Sequence, residues 1–195
     1  MTPPRLLGLS HVGFAVRDID EFRATWGAVL GIEDWLVREV PQTPGTIQLR
    51  GQVQPAAFSR IAFARVADTA VELVEPHEGA TRTSVWLDER GPGIHHLAFW
   101  VEDLPAAIRA LGDRVAVTYS PVGLHPDLAV LATGAPAAGL EATGATLPAG
   151  FWAYLEHTAA RVPWCIELLD VRGADIMRAT FGEYLRYPRF PEEDA

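Results

Sequence analysis

The chain has 195 residues, 49% of them hydrophobic and 21% charged, which fits one compact domain or two small modules sharing a core. Its net charge of −9 argues against a nonspecific nucleic-acid binder, which needs a basic footprint, and no apolar run is long enough to span a bilayer. The single cysteine, Cys165, excludes an intramolecular disulfide framework; with no secretory-type apolar stretch at the N-terminus, the expectation is a cytoplasmic protein.

Leu9 to Val16 reads as an apolar strand, followed by Asp18 as a helix N-cap. Asp20 to Leu30 has helical spacing, with Phe22, Trp26, Val29 and Leu30 near one stripe and Gly31 at its end. Strands are expected at Trp35 to Val40, Thr46 to Leu49, Arg60 to Val66 and Ala70 to Val74, which together make a βαβββ unit over residues 7–76. Residues 77–94 form a linker with a short helix, Thr83 to Arg90, stopped by Gly91-Pro92-Gly93. A second unit over 95–171 holds strands at His96 to Val101, Val115 to Tyr119, Phe151 to Leu155 and Val162 to Val171, and a helix from Leu104 to Leu111. An Ala-, Gly- and Pro-rich segment, about 124–150, reads as an inserted loop over a pocket. Residues 172–195 give a terminal helix, Ala174 to Leu185, and a frayed acidic tail.

The two units share a pattern. His11-Val-Gly-Phe-Ala-Val16 reads against His96-Leu-Ala-Phe-Trp-Val101 at an offset of 85 residues. Ala70-Val-Glu-Leu-Val-Glu75 reads against Cys165-Ile-Glu-Leu-Leu-Asp170 at an offset of 95, so the second unit carries ten extra residues. Strand alternation puts His11 on one face with Gly13 and Ala15, and Val12, Phe14 and Val16 on the other. His96 separates in the same way from Leu97 and Phe99, sharing its face with Ala98 and Trp100. Glu72 and Glu167 each alternate with apolar neighbours, and a carboxylate in such a strand is costly to bury unless it is paired or bound to a metal. Taken singly, a strand histidine or glutamate more often serves packing or solvation than ligation. Duplication sets these four apart. Brought together across a pseudo-twofold axis, His11, Glu72, His96 and Glu167 make a site for a first-row divalent ion such as Co, Ni, Mn, Zn or Fe. His95 rivals His96 but is out of register with His11. His77, His125 and His157 have no repeat partner and read as surface or loop residues, and Cys165 reads as packing.

The segments His11 to Val16, Val71 to Pro76, Gly93 to Phe99 and Ile166 to Leu169 resemble the vicinal oxygen chelate superfamily, which includes glyoxalase I, methylmalonyl-CoA epimerase, extradiol dioxygenases and bleomycin-resistance proteins. The resemblance covers most of residues 7–171. It implies an α+β fold in which two βαβββ modules form a curved mixed sheet around a metal-binding cleft, with His11, Glu72, His96 and Glu167 as ligands, and often a homodimer. Gly93 to Trp100 and the Glu-Leu-Val-Glu-Pro run look most like the methylmalonyl-CoA epimerase group. That group usually has glutamine where this chain has Glu72, and one of its catalytic carboxylates would fall near Gln48, which is not a base. Bacterial glyoxalase I shares the His-Glu-His-Glu set, but Ala15 stands near where such enzymes tend to carry an arginine. Extradiol dioxygenases use two His and one Glu, leaving open a position that Glu72 would fill.

These features lead to the expectation of a metal-dependent isomerase, epimerase or lyase that stabilises an enolate of a small carbonyl, acid or acyl-thioester substrate. Glu167 is the expected proton carrier, with Glu72 as the second catalytic group. Two alternatives are a metal-free module binding an aromatic or hydrophobic small molecule, with Trp35, Trp86, Trp100, Trp152 and Trp164 as aromatic surface, and a ring-cleaving dioxygenase.

Overall fold

The computed structural model describes residues 3–122, 151–160, 162 and 164–188. The expected 124–150 loop, His125 and the acidic tail lie outside these residues. Strand β1 (Leu6–Ala15) leads into helix α1 (Ile19–Phe22), then β2 (Leu36–Gln42), β3 (Ile47–Leu49), β4 (Gln52–Val53), β5 (Ala57–Val66) and β6 (Thr69–Glu78). Helix α2 (Arg82–Arg90) links to β7 (Gly93–Val101), α3 (Leu104–Leu111), β8 (Val115–Pro121), β9 (Trp152–His157), β10 (Cys165–Asp170) and α4 (Ala174–Phe181). The strands form one mixed sheet ordered β2-β5-β6-β1-β7-β10-β9-β8-β3-β4. Among the described residues no helix is long and apolar enough to cross a membrane.

The centre of this order carries the symmetry. β1 and β7 pair antiparallel, while each runs parallel to the last strand of its own module, β6 or β10. Val12 pairs with Leu97, its own repeat equivalent, so the pseudo-twofold axis passes between them. The flanking pairs, His11 with Ala98 and Gly13 with His96, exchange under that axis.

The outer face of the sheet is apolar and roofed by the helices. Phe14, Val71 and Leu73 pack with Ile19 of α1, and Phe99, Ile166 and Leu168 pack with Leu104 and Ala107 of α3. Both helices start on duplicated caps. Asp18 accepts from the Glu21 amide (2.9 Å) and Asp103 from that of Ala106 (2.7 Å). A carboxylate at the end of each module's last strand then ties down the same helix: Glu75 accepts from the Ile19 amide (2.9 Å) and Asp170 from that of Leu104 (2.8 Å).

Two sequence expectations are corrected. The helix after β1 does not bury Trp26, Val29 and Leu30, which are 60%, 75% and 62% exposed. A π turn at Arg23–Gly27, in which the Ala28 amide bonds to the Arg23 carbonyl, shifts the helical phase and swings these side chains off the buried stripe. The Thr46 to Leu49 strand, expected in the first module, pairs instead with β8 of the second, Leu49 opposite Tyr119. Because β2 and β3 are only four residues apart, the β2 edge is held within about 15 Å of the β8 edge, and the sheet curls into a half-barrel. The Tyr119 hydroxyl completes the closure by donating to Gln42 Oε1 (2.6 Å).

Asp170→Ala strands the buried Leu104 amide at the start of α3. It is expected to lower stability by about 1–3 kcal/mol, read as a shift of the urea midpoint with unchanged slope.

Candidate metal centre

The structure brings all four expected residues to one point on the concave face. His11 and His96 present their Nε2 atoms to each other at 3.1 Å. Glu72 Oε2 lies 3.4 Å from His11 Nε2 and 3.0 Å from His96 Nε2, and Glu167 Oε2 lies 3.1 and 3.5 Å from the same two nitrogens. Two donor atoms held about 2.1 Å from one ion are about 3.0 Å apart at a right angle and about 3.4 Å apart at the tetrahedral angle. The His–His and His–Glu spacings, 3.0–3.5 Å, lie in or close to that range. His11, Glu72 and His96 form a compact group of three that could hold a metal ion, and Glu167 adjoins it through its contacts with both rings.

All four side chains are buried, and the Oε2 atoms of Glu72 and Glu167 lack a hydrogen bond of good geometry. Burial opposes the charging of His11, but its close approach to the Glu167 and Glu72 carboxylates outweighs it and raises its pKa to about 9. Burial likewise opposes ionisation of Glu72, yet its close approach to His11 and His96 holds it well below the usual carboxylate range. Two carboxylate oxygens facing two imidazole nitrogens make a donor set that fits a divalent ion.

Backbone choice makes the approach of the rings possible. A Cβ built on Gly13 would fall inside the His96 ring. The axis places Ala98 at the equivalent position opposite His11.

Each ring is held from behind by the preceding residue. His11 Nδ1 contacts the Ser10 hydroxyl at 3.2 Å and His96 Nδ1 contacts His95 Nδ1 at 2.9 Å, and Ser10 and His95 are themselves 85 residues apart in equivalent positions. Burial, and then the charges of His96 and Arg82, push the His95 pKa well below its usual value, so His95 is neutral and its Nδ1 can accept. An Nδ1–H donated backwards leaves the Nε2 lone pair of each ring aimed at the cluster. In the sequence His95 stands only as a rival to His96. Its register with Ser10 is the signal that would have revealed the supporting role.

A cavity of about 150 Å³ opens on the cluster. His11, Glu72 and Glu167 stand in its wall, with Phe63, Phe151, Phe181, Tyr119, Trp152 and Tyr154 as its aromatic lining. Of the tryptophans expected to supply aromatic surface, only Trp152 among the described residues reaches it. Trp100 does share the side of His96, but it is fully buried under the C-terminal segment, donating to the Arg186 carbonyl (2.7 Å) and packing on Tyr187. Gln48 gives its amide to Ser120 (2.9 Å) on the β3–β8 pair and is not in the cavity wall. His77 is half-exposed and paired with Glu75 (2.7 Å). His157 accepts from the Ala159 and Ala160 amides in a surface turn. Cys165 is buried, its thiol pushed up to about 12 chiefly by burial, and it contacts the His95 carbonyl.

A paired-module half-barrel with a buried His/Glu cluster on its concave face defines the class. The model of the Glyoxalase/Bleomycin resistance protein/Dioxygenase superfamily matches residues 10–125, more than half of the chain, and the chain belongs to that superfamily. It is similar to the uncharacterized protein YqjC of Bacillus subtilis (strain 168), 27% identical over 106 residues, which are 54% of this chain and 66% of that protein, just short of two thirds. Among solved structures it resembles the hypothetical protein BH1468 from Bacillus halodurans C-125 (TM-score 0.49, 20% identity, covering 84% of this chain and 93% of that one). It also resembles methylmalonyl-CoA epimerase from Mycobacterium tuberculosis (TM-score 0.49, 21% identity, covering 87% and 91%).

Gly13→Ala drives a methyl group into the His96 ring. The variant is expected to lose about 1–3 kcal/mol of stability, measured by chemical denaturation. A wild-type midpoint would contradict the packing described.

Proposed function

We propose that the protein is a divalent-metal-dependent isomerase, epimerase or lyase acting on a small enolisable carbonyl compound. The observation that carries this reading is the close approach of His11, Glu72 and His96, with Glu167 against both rings and two buried carboxylate oxygens that lack a hydrogen bond of good geometry. His11, Glu72, His96 and Glu167 would hold the ion. When bound, a divalent ion would supply Lewis-acid polarisation of a carbonyl oxygen.

The rest of the work falls to side chains. Ser10 and His95 fix the two imidazoles with Nε2 forward. Glu167 takes the proton from the substrate α-carbon, and Glu72, across the pseudo-twofold axis, can return one from the other side. The aromatic walls keep bulk water from the carbanionic carbon, so that proton exchange is confined to these carboxylates. Membership of the superfamily supports this class of chemistry without selecting one reaction within it.

Three outcomes test the proposal. Protein purified without chelators or a histidine tag should contain about one divalent ion per chain, lost in a His96→Ala/Glu167→Ala double variant; no metal and no uptake of Mn, Co, Ni, Zn or Fe would sink it. The affinity should also climb with pH. The folded-state pKa of His11 lies above its ordinary value of 6.5, at about 9, so the metal-free fold gains stability from the His11 proton below 6.5 and loses it as pH rises through 9. The entering ion must displace that proton, giving about a tenfold gain in apparent affinity per pH unit up to pH 9. A flat profile in metal titrations from pH 6.5 to 9 would remove His11 from the ligand set.

The third outcome concerns the proton. Once a substrate is in hand, solvent deuterium should enter its α-carbon with wild-type protein and cease to do so with Glu167→Gln. Exchange that persists in the variant would take Glu167 out of the role.

A further inference from the structure

The cluster is charged, but the space in front of it is not. Apart from His11, Glu72 and Glu167, the polar residues of the cavity wall are neutral: Gln42, Ser59, Thr81, Thr83 and the phenols of Tyr119 and Tyr154. Burial raises both tyrosine pKa values, and the carboxylates push that of Tyr154 further, so both rings stay protonated. No arginine lines the cavity among the described residues, and the chain has no lysine at all. The nearby arginines have carboxylate partners: Arg60 pairs with Asp20 (3.2 Å) and Glu75 (3.5 Å), and Arg82 pairs through Nε with Glu156 (2.6 Å), its buried Nη1 left without a hydrogen bond. The sequence of residues 123–150 brings neither lysine nor arginine.

The remaining wall is aromatic on two sides. Tyr119, Trp152 and Tyr154 pack ring to ring at 5.4–5.9 Å on the second module. Phe63 of β5 meets Phe181 of α4 at 5.0 Å, and Met177 and Phe151 fill in beside them. A volume of about 150 Å³ is that of an apolar cavity that accepts one benzene-sized ring. A carboxylate or phosphate placed here would lie beside two glutamates, with no arginine or lysine in the described wall and only the cluster's own positive charge, already shared with those glutamates, to offset its desolvation.

We infer that this site takes a neutral carbonyl substrate with a single-ring-sized apolar body, and that it discriminates against carboxylates and acyl-CoA esters. The inference rests on the cluster being the reacting centre, as proposed above, but it concerns the walls and is separable from the metal.

The test is calorimetric titration of the full chain, after incubation with manganese and separately after chelation, with three probes. These are 2-hydroxyacetophenone (neutral), mandelate (a similar ring with a carboxylate) and methylmalonyl-CoA. The ketone is expected to bind at least tenfold more tightly than either anion. In Val40→Arg, which adds a cation to the wall, that preference should shrink or reverse. If an anion binds as tightly as the ketone to the wild type, or if the ketone gives no measurable binding, the inference is overturned, whatever the manganese titration shows. If the ketone preference persists in protein that takes up no manganese, the substrate class stands and the metal reading falls.

Discussion

The antiparallel pairing of β1 with β7 is the constraint from which the rest follows. Its register sets Val12 against Leu97 on the pseudo-twofold axis, and one residue either way sets each histidine against a small partner. A slip of one residue would turn each histidine toward the wrong face. The parallel neighbours β6 and β10 then carry Glu72 beside Gly13 and Glu167 beside Ala98, so both carboxylates arrive at the same level as the rings. Four donors from four strands meet because one pairing fixes the position of all of them.

That convergence is expensive by itself. Two carboxylates and two imidazoles inside an apolar half-barrel lose their hydration, and only charges of opposite sign can offset the loss. In the structure described, a proton held on His11 supplies part of that offset, which is why its pKa rises in spite of burial. A divalent ion would supply more positive charge at the same point. The cluster is thus costly as packing and well matched as a coordination site.

The sequence disclosed what the duplication repeats and concealed what it does not. His11, Glu72, His96 and Glu167 were legible because chemically unusual residues recur in register on apolar strands. The same register contains Ser10 with His95 and Glu75 with Asp170, whose roles as ring support and helix ties become visible only with contacts, since the partners differ in residue type. The β3–β4 hairpin could not be placed, because nothing in a local pattern tells which module's edge a short strand will join. The π turn after α1 was hidden for a related reason: helical periodicity presumes an unbroken phase, and one wider turn moved Trp26 from the predicted buried face to solvent.

Symmetry at the donors does not extend to the walls. Phe63 pairs with Glu72 on the first module and Tyr154 pairs with Glu167 on the second, so these two rings occupy equivalent places beside the cluster. Each meets its histidine edge-on, Phe63 to His11 at 5.7 Å and Tyr154 to His96 at 5.0 Å. At this level the two halves differ by one hydroxyl, and burial next to two carboxylates keeps that hydroxyl protonated. The helices after the two modules add a second difference, because α4 brings Met177 and Phe181 into the wall where α2 brings Thr83. A substrate entering between these walls meets two nearly equivalent glutamates in inequivalent surroundings: Glu167 beside a phenol, Glu72 beside a bare phenyl ring. The duplication builds the cluster, and the departures from duplication give Glu72 and Glu167 different surroundings.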